Sequence, residues 1–205
     1  MTDARREAAW HQPLRTARLL IRGWRPGDAG MLKEAIDSSL PELARWMPWA
    51  ATEPSPLESI AERIDKFRRA FDEGRDWTYG LFDAAGTRVI GGSGLHPRTE
   101  PGRLEIGYWI RSSDTGRGLA TEAAAALAAA AFRLHDVDAV EIRCDPRNAA
   151  SAAIPRRLGF RHQQTLRDEG TAPDGSPRDT MVWLLDAPGA RRLRARLEEQ
   201  AGAGR

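Results

Sequence analysis

The chain of 205 residues is 41% hydrophobic and 29% charged, an ordinary composition for a soluble domain long enough to bury a sizeable core. Its pI is near 9.1, yet 31 basic against 29 acidic residues leave a net charge of only +2, and no long basic block is present, which argues against a nucleic-acid-binding module. A single cysteine, Cys144, excludes an internal disulfide and suits a reducing cytoplasm, and no apolar run is long enough to span a bilayer.

A polar lead of about ten residues is expected to be loose. Leu14 to Trp24 alternates, with Leu19 and Ile21 in phase, and predicts a first strand stopped by Pro26-Gly27-Asp28. Ala29 to Ser38 predicts a short helix with Met31, Leu32, Ala35 and Ile36 on one face. From Leu40 to Trp49, the residues Leu43, Trp46, Met47 and Trp49 crowd into a segment interrupted by Pro41 and Pro48. It is too aromatic for a solvent loop and too broken for a long helix, so its tryptophans are either core or an apolar wall of a substrate pocket. Ser55-Pro56-Leu57-Glu58 reads as a helix start, with a serine cap, proline at the first helical position and glutamate three residues after the cap. The stripe Leu57, Ile60, Ala61, Ile64, Phe67 and Phe71 is packing, and Gly74 ends the helix.

Trp77 to Asp83 and Arg88 to Leu95 predict a hairpin, and a second turn at Pro97 to Gly102 leads into the alternating strand Arg103 to Ile110. Three antiparallel strands thus precede Thr115-Gly116-Arg117-Gly118-Leu119-Ala120-Thr121-Glu122, where extended chain gives way to an Ala/Leu helix running to Leu134. A glycine turn feeding a helix exposes unpaired amides at the positive end of the helix dipole, a cradle for a diphosphate. Ala139 to Asp145 follows as a strand, at a spacing that suits a crossover between parallel strands. Then come a short helical stretch at Asn148-Ala149-Ala150-Ser151, the Leu158-Gly159-Phe160 segment, and a final hairpin of His162 to Arg167 with Asp179 to Leu185. Ala190 to Glu199 is a charged helix free to pack or project.

Gly116-x-Gly118 followed by a helix, a strand and Asp145 imitates half of a dinucleotide-binding fingerprint. Thr121 stands where the third glycine belongs, however, and an antiparallel meander comes first. The ordered set Glu105-Ile106-Gly107-Tyr108-Trp109-Ile110, Gly116 to Ala123, Asn148, Ser151 and Leu158-Gly159-Phe160 resembles the GNAT superfamily of acyl-CoA-dependent N-acyltransferases, in its RimJ/RimL-type branch. The resemblance implies an α/β (α+β) fold with a mixed, mostly antiparallel central sheet of about seven strands, splayed in the middle and covered by helices on both faces. It also implies one domain over residues 1–205, with a core at about 14–186 and extensions at 1–12 and 187–205.

The implied reaction is direct attack of a primary amine on acetyl-CoA or another acyl-CoA, without a metal. In the family the amides of Gly116, Arg117, Gly118, Leu119, Ala120 and Thr121 take the pyrophosphate, with the Arg117 side chain either adding charge or standing in solvent. The strand edge around Trp109, Ile110 and Arg111 pairs with the pantetheine arm, and Asn148 either binds a pantetheine amide or caps its helix. Glu105, opposite in phase to Leu104 and Ile106, is the candidate base beside the acceptor; the plainer alternative is an ion pair with Arg143. Where many relatives carry a tyrosine acid this chain has Pro155, so protonation or hydrogen bonding of the leaving thiolate falls to Ser151, which otherwise serves as a helix-start residue. Trp46 and Trp49 match the segment that flanks the acceptor.

Two departures stand out. Thr115 replaces the usual Gln or Arg at the head of the glycine motif, and Pro155 predicts a helix that is kinked or starts late. The expected acceptor is a protein or peptide N-terminus, with a small-molecule amine such as an antibiotic, or a catalytically silent acyl-CoA-binding regulatory role, as alternatives. The setting is cytoplasmic, with neither nucleic acid nor membrane as partner and a homodimer as one open assembly.

Overall fold

The computed structural model describes residues 11–134, 137–172 and 175–203, so the expected loose lead lies outside it. Alternating apolar residues build one eight-stranded sheet in the order β1-β2-β3-β4-β5-β6-β8-β7. The strands are β1 (Leu14–Arg15), β2 (Leu19–Gly23), β3 (Trp77–Asp83), β4 (Val89–Pro97), β5 (Arg103–Ile110), β6 (Ala139–Cys144), β7 (Arg161–Thr171) and β8 (Pro177–Asp186). The count exceeds the expected seven because the first alternating segment is two strands. The Thr16 hydroxyl accepts from the Leu19 amide at 2.9 Å, and the turn it closes pairs Leu14 with Ile21.

The helices are α1 (Ala29–Asp37), α2 (Leu40–Trp46), α3 (Leu57–Asp72), α4 (Leu119–Leu134), α5 (Ala149–Leu158) and α6 (Ala187–Ala203). Each face of the sheet has its own core. On one, Leu104, Ile106, Val140 and Ile142 lie under α4, whose buried Ala123, Ala124, Ala128 and Ala131 are short enough to bring the helix close to the strands. On the other, Leu32, Ile36, Ile60 and Ile64 of α1 and α3 cover Leu20, Phe82 and Val89. The C-terminal helix α6 packs: Leu193 is buried in the first core, and Arg196 donates to the carbonyl of Leu158, the last residue of α5, at 2.9 Å.

The serine cap expected for α3 is not used. The helix begins at Leu57 with Pro56 at the cap position, and the Ser55 hydroxyl turns back to donate to the Thr52 carbonyl at 3.3 Å.

All neighbouring strands are antiparallel except β5 and β6. That parallel pair matches only at Arg103↔Ala139, Leu104↔Val140 and Glu105↔Glu141. Beyond Glu105 the strands part, while β4 stays paired to β5 as far as Ile110 and β8 stays paired to β6 as far as Cys144. The sheet therefore opens in its middle, leaving the edge of β5 from Ile106 to Ile110 without a strand partner on that side.

Candidate active site

The opening leads into a cavity of about 770 Å³ that reaches both faces of the sheet. One wall carries Tyr108, Cys144, Asn148 and Ser151, and the other carries Glu105, His96, Trp109 and the aromatic segment Trp46 to Trp49. On the second side glycines let rings rest on the strands. Gly92 and Gly107 line the cavity, where a Cβ on Gly92 would fall 2.5 Å from Trp109 Nε1, and beside them on β4 a Cβ on Gly94 would fall 2.4 Å from His96 Nε2.

Glu105 points into this cavity, while Leu104 and Ile106 on either side of it are buried in the opposite core. Arg98 Nη1 donates to its Oε2 at 3.0 Å and Arg143 Nε stands 3.9 Å away, so the ion-pair alternative and a place on the cavity wall coexist. Burial raises the Glu105 pKa above the ordinary carboxylate value, and the two arginines only partly oppose it. Directly across the strand pair is His96, its register partner. His96 Nδ1 lies 2.8 Å from Asp76 Oδ2, and Thr78 donates to the other Asp76 oxygen at 3.0 Å. Burial works against the imidazolium, but the Asp76 hydrogen bond and charge outweigh it and hold His96 above its usual value. When the ring is neutral and donates Nδ1–H to Asp76, Nε2 is its proton acceptor. Nothing in the sequence flagged this dyad, since Asp76 and His96 meet only through the β3–β4 register.

On the other wall, Asn148 caps α5 by accepting from the Ser151 amide at 3.0 Å. The helix starts at Ala149 and runs through Pro155 to Leu158, so the proline does not delay it. Its effect is elsewhere. Proline lacks the N–H that would bond to the carbonyl four residues back, and that carbonyl, Ser151 O, instead accepts from the Tyr108 hydroxyl at 3.3 Å. The same hydroxyl lies 3.1 Å from Ser151 Oγ. Burial raises the Tyr108 pKa, as it does that of the Cys144 thiol.

The glycine turn expected to cradle a diphosphate lies at the start of α4. Gly116 and Gly118 take φ values of +74° and +77°, which only glycine adopts without strain, and beside Gly116 a Cβ would meet open space. Glu122 is the first residue whose amide bonds back into the helix, to Gly118 O at 3.1 Å, so the amides of Leu119, Ala120 and Thr121 precede the ladder. The turn is braced from below. Asp114, 2% exposed, accepts a fork from Arg88 at 2.8 and 2.9 Å and a bond from Arg117 at 2.7 Å. Arg117 is thereby drawn back onto the turn. Arg18, which sequence reading missed, donates to the Arg117 carbonyl at 2.8 Å and to Glu122 at 2.7 Å, setting a second cation beside the cradle.

The residues expected around the thioester, Glu105, Trp109, Asn148 and Ser151, and the two flanking tryptophans thus share one cavity. Trp49 meets Trp109 edge to face, with ring centroids 6.1 Å apart. Ile110 packs into the core and Arg111 forks onto Glu34, so the side chains of these two turn away from it. Unpaired amides beside positive-φ glycines suit a phosphate, and a free strand edge suits an extended amide chain.

A mixed sheet parted at its one parallel pair, with a glycine cradle at the start of the crossover helix, defines an acyl-CoA-dependent acyltransferase. Residues 18–161 match the family described as Acetyltransferase (GNAT) domain, and the chain belongs to it as a GNAT-type N-acetyltransferase. Among curated proteins it is 31% identical over 170 residues to the Bacillus subtilis (strain 168) protein named "Putative ribosomal N-acetyltransferase YdaF", covering 82% of this chain and 90% of that one. Among solved structures it is similar to RimL, a ribosomal L7/L12 alpha-N-protein acetyltransferase in complex with coenzyme A, with a TM-score of 0.78 at 19% identity over 85% of this chain and 98% of that one. Mycobacterium smegmatis RimJ in complex with CoA-disulfide gives a TM-score of 0.78 at 24% identity, over 91% and 95% of the two chains. These two likenesses carry the fold.

Proposed function

We propose that this protein moves the acetyl group of acetyl-CoA to the amine at a protein or peptide N-terminus, by direct attack while both substrates are bound. The observation that carries this reading is the parted β5–β6 pair, which opens between Glu105 on the acceptor side and Ser151 on the other. The names of its relatives, which include ribosomal-protein acetyltransferases, support a protein acceptor and a cytoplasmic setting.

The chain's own groups fit the steps. The amides at 116–121 receive the pyrophosphate, with Arg18 and Arg117 adding positive charge at the turn, and the free edge at Trp109 and Ile110 pairs with the pantetheine amides. Asn148, besides capping α5, faces the same arm. An N-terminal amine titrates near about 7.7 to 8.0 and is largely protonated at neutral pH, so its proton must leave before attack. Glu105 accepts it, and His96 opposite is positioned to carry it onward. The departing thiolate takes a hydrogen bond from Ser151 Oγ as the Tyr108 hydroxyl turns its proton from the Ser151 carbonyl to that Oγ. Trp46 and Trp49 offer an apolar wall to the acceptor's first side chains.

The test is acetyl transfer to a panel of peptide N-termini and small amines, read by mass spectrometry. Transfer to peptide α-amines is expected; transfer confined to small amines would move the acceptor to the antibiotic-like alternative, and no transfer with intact coenzyme binding would favour a silent binding protein.

A further inference from the structure

One stretch of the cavity wall holds donors that no described residue satisfies. On β8, Arg178 and Thr180 are two apart and share a face of the strand, and both line the cavity. Thr180 is 4% exposed, and its Oγ1 is buried without a hydrogen-bond partner. The Nε of Arg178 is in the same condition, and among the described residues Arg178 forms no ion pair.

The neighbouring charges are already committed. Arg98 is held by Glu105 at 3.0 Å, although its Nε too is buried without a partner, and Arg143 by Glu141 at 3.1 Å and Glu169 at 2.8 Å. Asp145, the carboxylate that feels Arg178, is gripped by Arg147 at 2.7 Å, which holds its pKa below the ordinary range. Arg178 lies instead across the backbone of Gly170, its register partner on β7, where a Cβ would come within 3.2 Å of Nη2. A glycine at that point lets the guanidinium lie flat on the strand with its fork available.

Buried donors without partners cost free energy unless something bound supplies acceptors, and the guanidinium fork matches a carboxylate. We propose that Arg178 and Thr180 form an anion subsite that reads an acidic side chain of the acceptor peptide, a few residues from the amine that is acetylated. The proposal rests on the acetyl-transfer reading above and names its substrate more closely. Spacing selects a side chain. Glu105 is level with Glu141, which pairs with Leu184, and Arg178 lies six residues farther along β8, roughly 20 Å at the usual strand rise. An extended peptide covers that distance in about six residues, fewer by what the two side chains reach. The α-carboxylate of a free amino acid sits beside its own amine and cannot serve both ends.

The experiment uses short peptides with neutral residues and a single Asp or Glu at one position from the fourth to the seventh, each against its Asn or Gln counterpart, with free glutamate as a small arm. Affinity is measured by calorimetry on the full chain saturated with CoA, and KM by mass spectrometry with acetyl-CoA. An acidic peptide is expected to bind about tenfold tighter than its amide twin, as loss of a charge-assisted contact implies. Arg178→Met should abolish the difference, Arg178→Lys should keep part of it, and Thr180→Val should weaken it. Equal affinities in the wild type, or a preference that survives Arg178→Met, would overturn the subsite. An equal gain with free glutamate would also overturn it, by moving the anion to the α-carboxylate. Acetylation without an acidic preference sinks the subsite and leaves the transfer reading intact; Arg178-dependent binding without acetylation does the reverse.

Discussion

The Tyr108 hydroxyl stands 3.3 Å from the Ser151 carbonyl and 3.1 Å from its Oγ, joining the strand on one side of the opening to the helix on the other. Pro155 makes room for this bridge, because it leaves the Ser151 carbonyl without its helical partner. Tyr108→Phe should therefore cost about 1–2 kcal/mol, the price of a buried carbonyl left unpaired. Pro155→Ala restores an amide to that carbonyl, so the double variant should lose less than the single changes sum to, by about 0.5–1.5 kcal/mol in urea denaturation. Additive losses would mean that the two residues act independently.

Glu105 and His96 predict separable pH profiles. A base works only when deprotonated, so a rate that depends on Glu105 rises with pH through a limb lying above the usual carboxylate range, the direction in which burial moves it. Glu105→Gln should lower kcat at pH 7 by roughly 10²-fold and erase that limb, while CoA still binds. His96→Gln should keep the limb and lower kcat less. If Glu105→Gln turns over normally and His96→Gln loses a limb above the usual imidazole value, the proton goes to His96 instead.

Asp114 holds the turn beneath the cradle, buried under the Arg88 fork. Its folded pKa is depressed, chiefly by Arg88, so its stabilisation is fully present above its unfolded value of about 3.9 and is lost as pH falls through the lower folded value. Asp114→Ala should cost about 2–4 kcal/mol at pH 7, and the gap from the wild type should shrink in acid below about pH 4. Denaturation curves at several pH values measure this; a gap that does not change with pH would remove the ion pairs as its source.

The glycines of β4 give a graded test. A Cβ on Gly91 would lie 2.1 Å from the Trp109 carbonyl oxygen, a backbone atom that cannot turn aside, whereas one on Gly94 meets chiefly the movable His96 ring. Gly91→Ala should thus cost more than about 3 kcal/mol, while Gly94→Ala costs about 1–3 kcal/mol and shifts the His96 titration seen by NMR. A silent Gly94→Ala titration would show that the ring does not rest on this glycine.

Most of the fold was legible because its strands alternate cleanly and its helices carry unbroken stripes, as in Ile60, Ile64 and Phe71 or the alanines of α4. The glycine turn before α4 was legible because two closely spaced glycines and a helix start are local in sequence. What escaped depended on long-range register. Asp76 reaches His96 only after β3 and β4 pair, Arg18 reaches the α4 terminus across roughly a hundred positions, and Tyr108 became a partner of Ser151 only because a proline left its carbonyl free. The idle serine before α3 is the opposite case, a local signal overruled because the Ser55 hydroxyl found a backbone acceptor at Thr52.

The central claim is that amides at the α4 start hold the coenzyme's phosphates while the parted strands take its arm. Titrating CoA into isotope-labelled protein and following backbone amide resonances tests it most directly. The account predicts saturable shifts concentrated at Gly116 to Thr121 and at Trp109 and Ile110; absence of binding, or shifts confined to other parts of the chain, would contradict it.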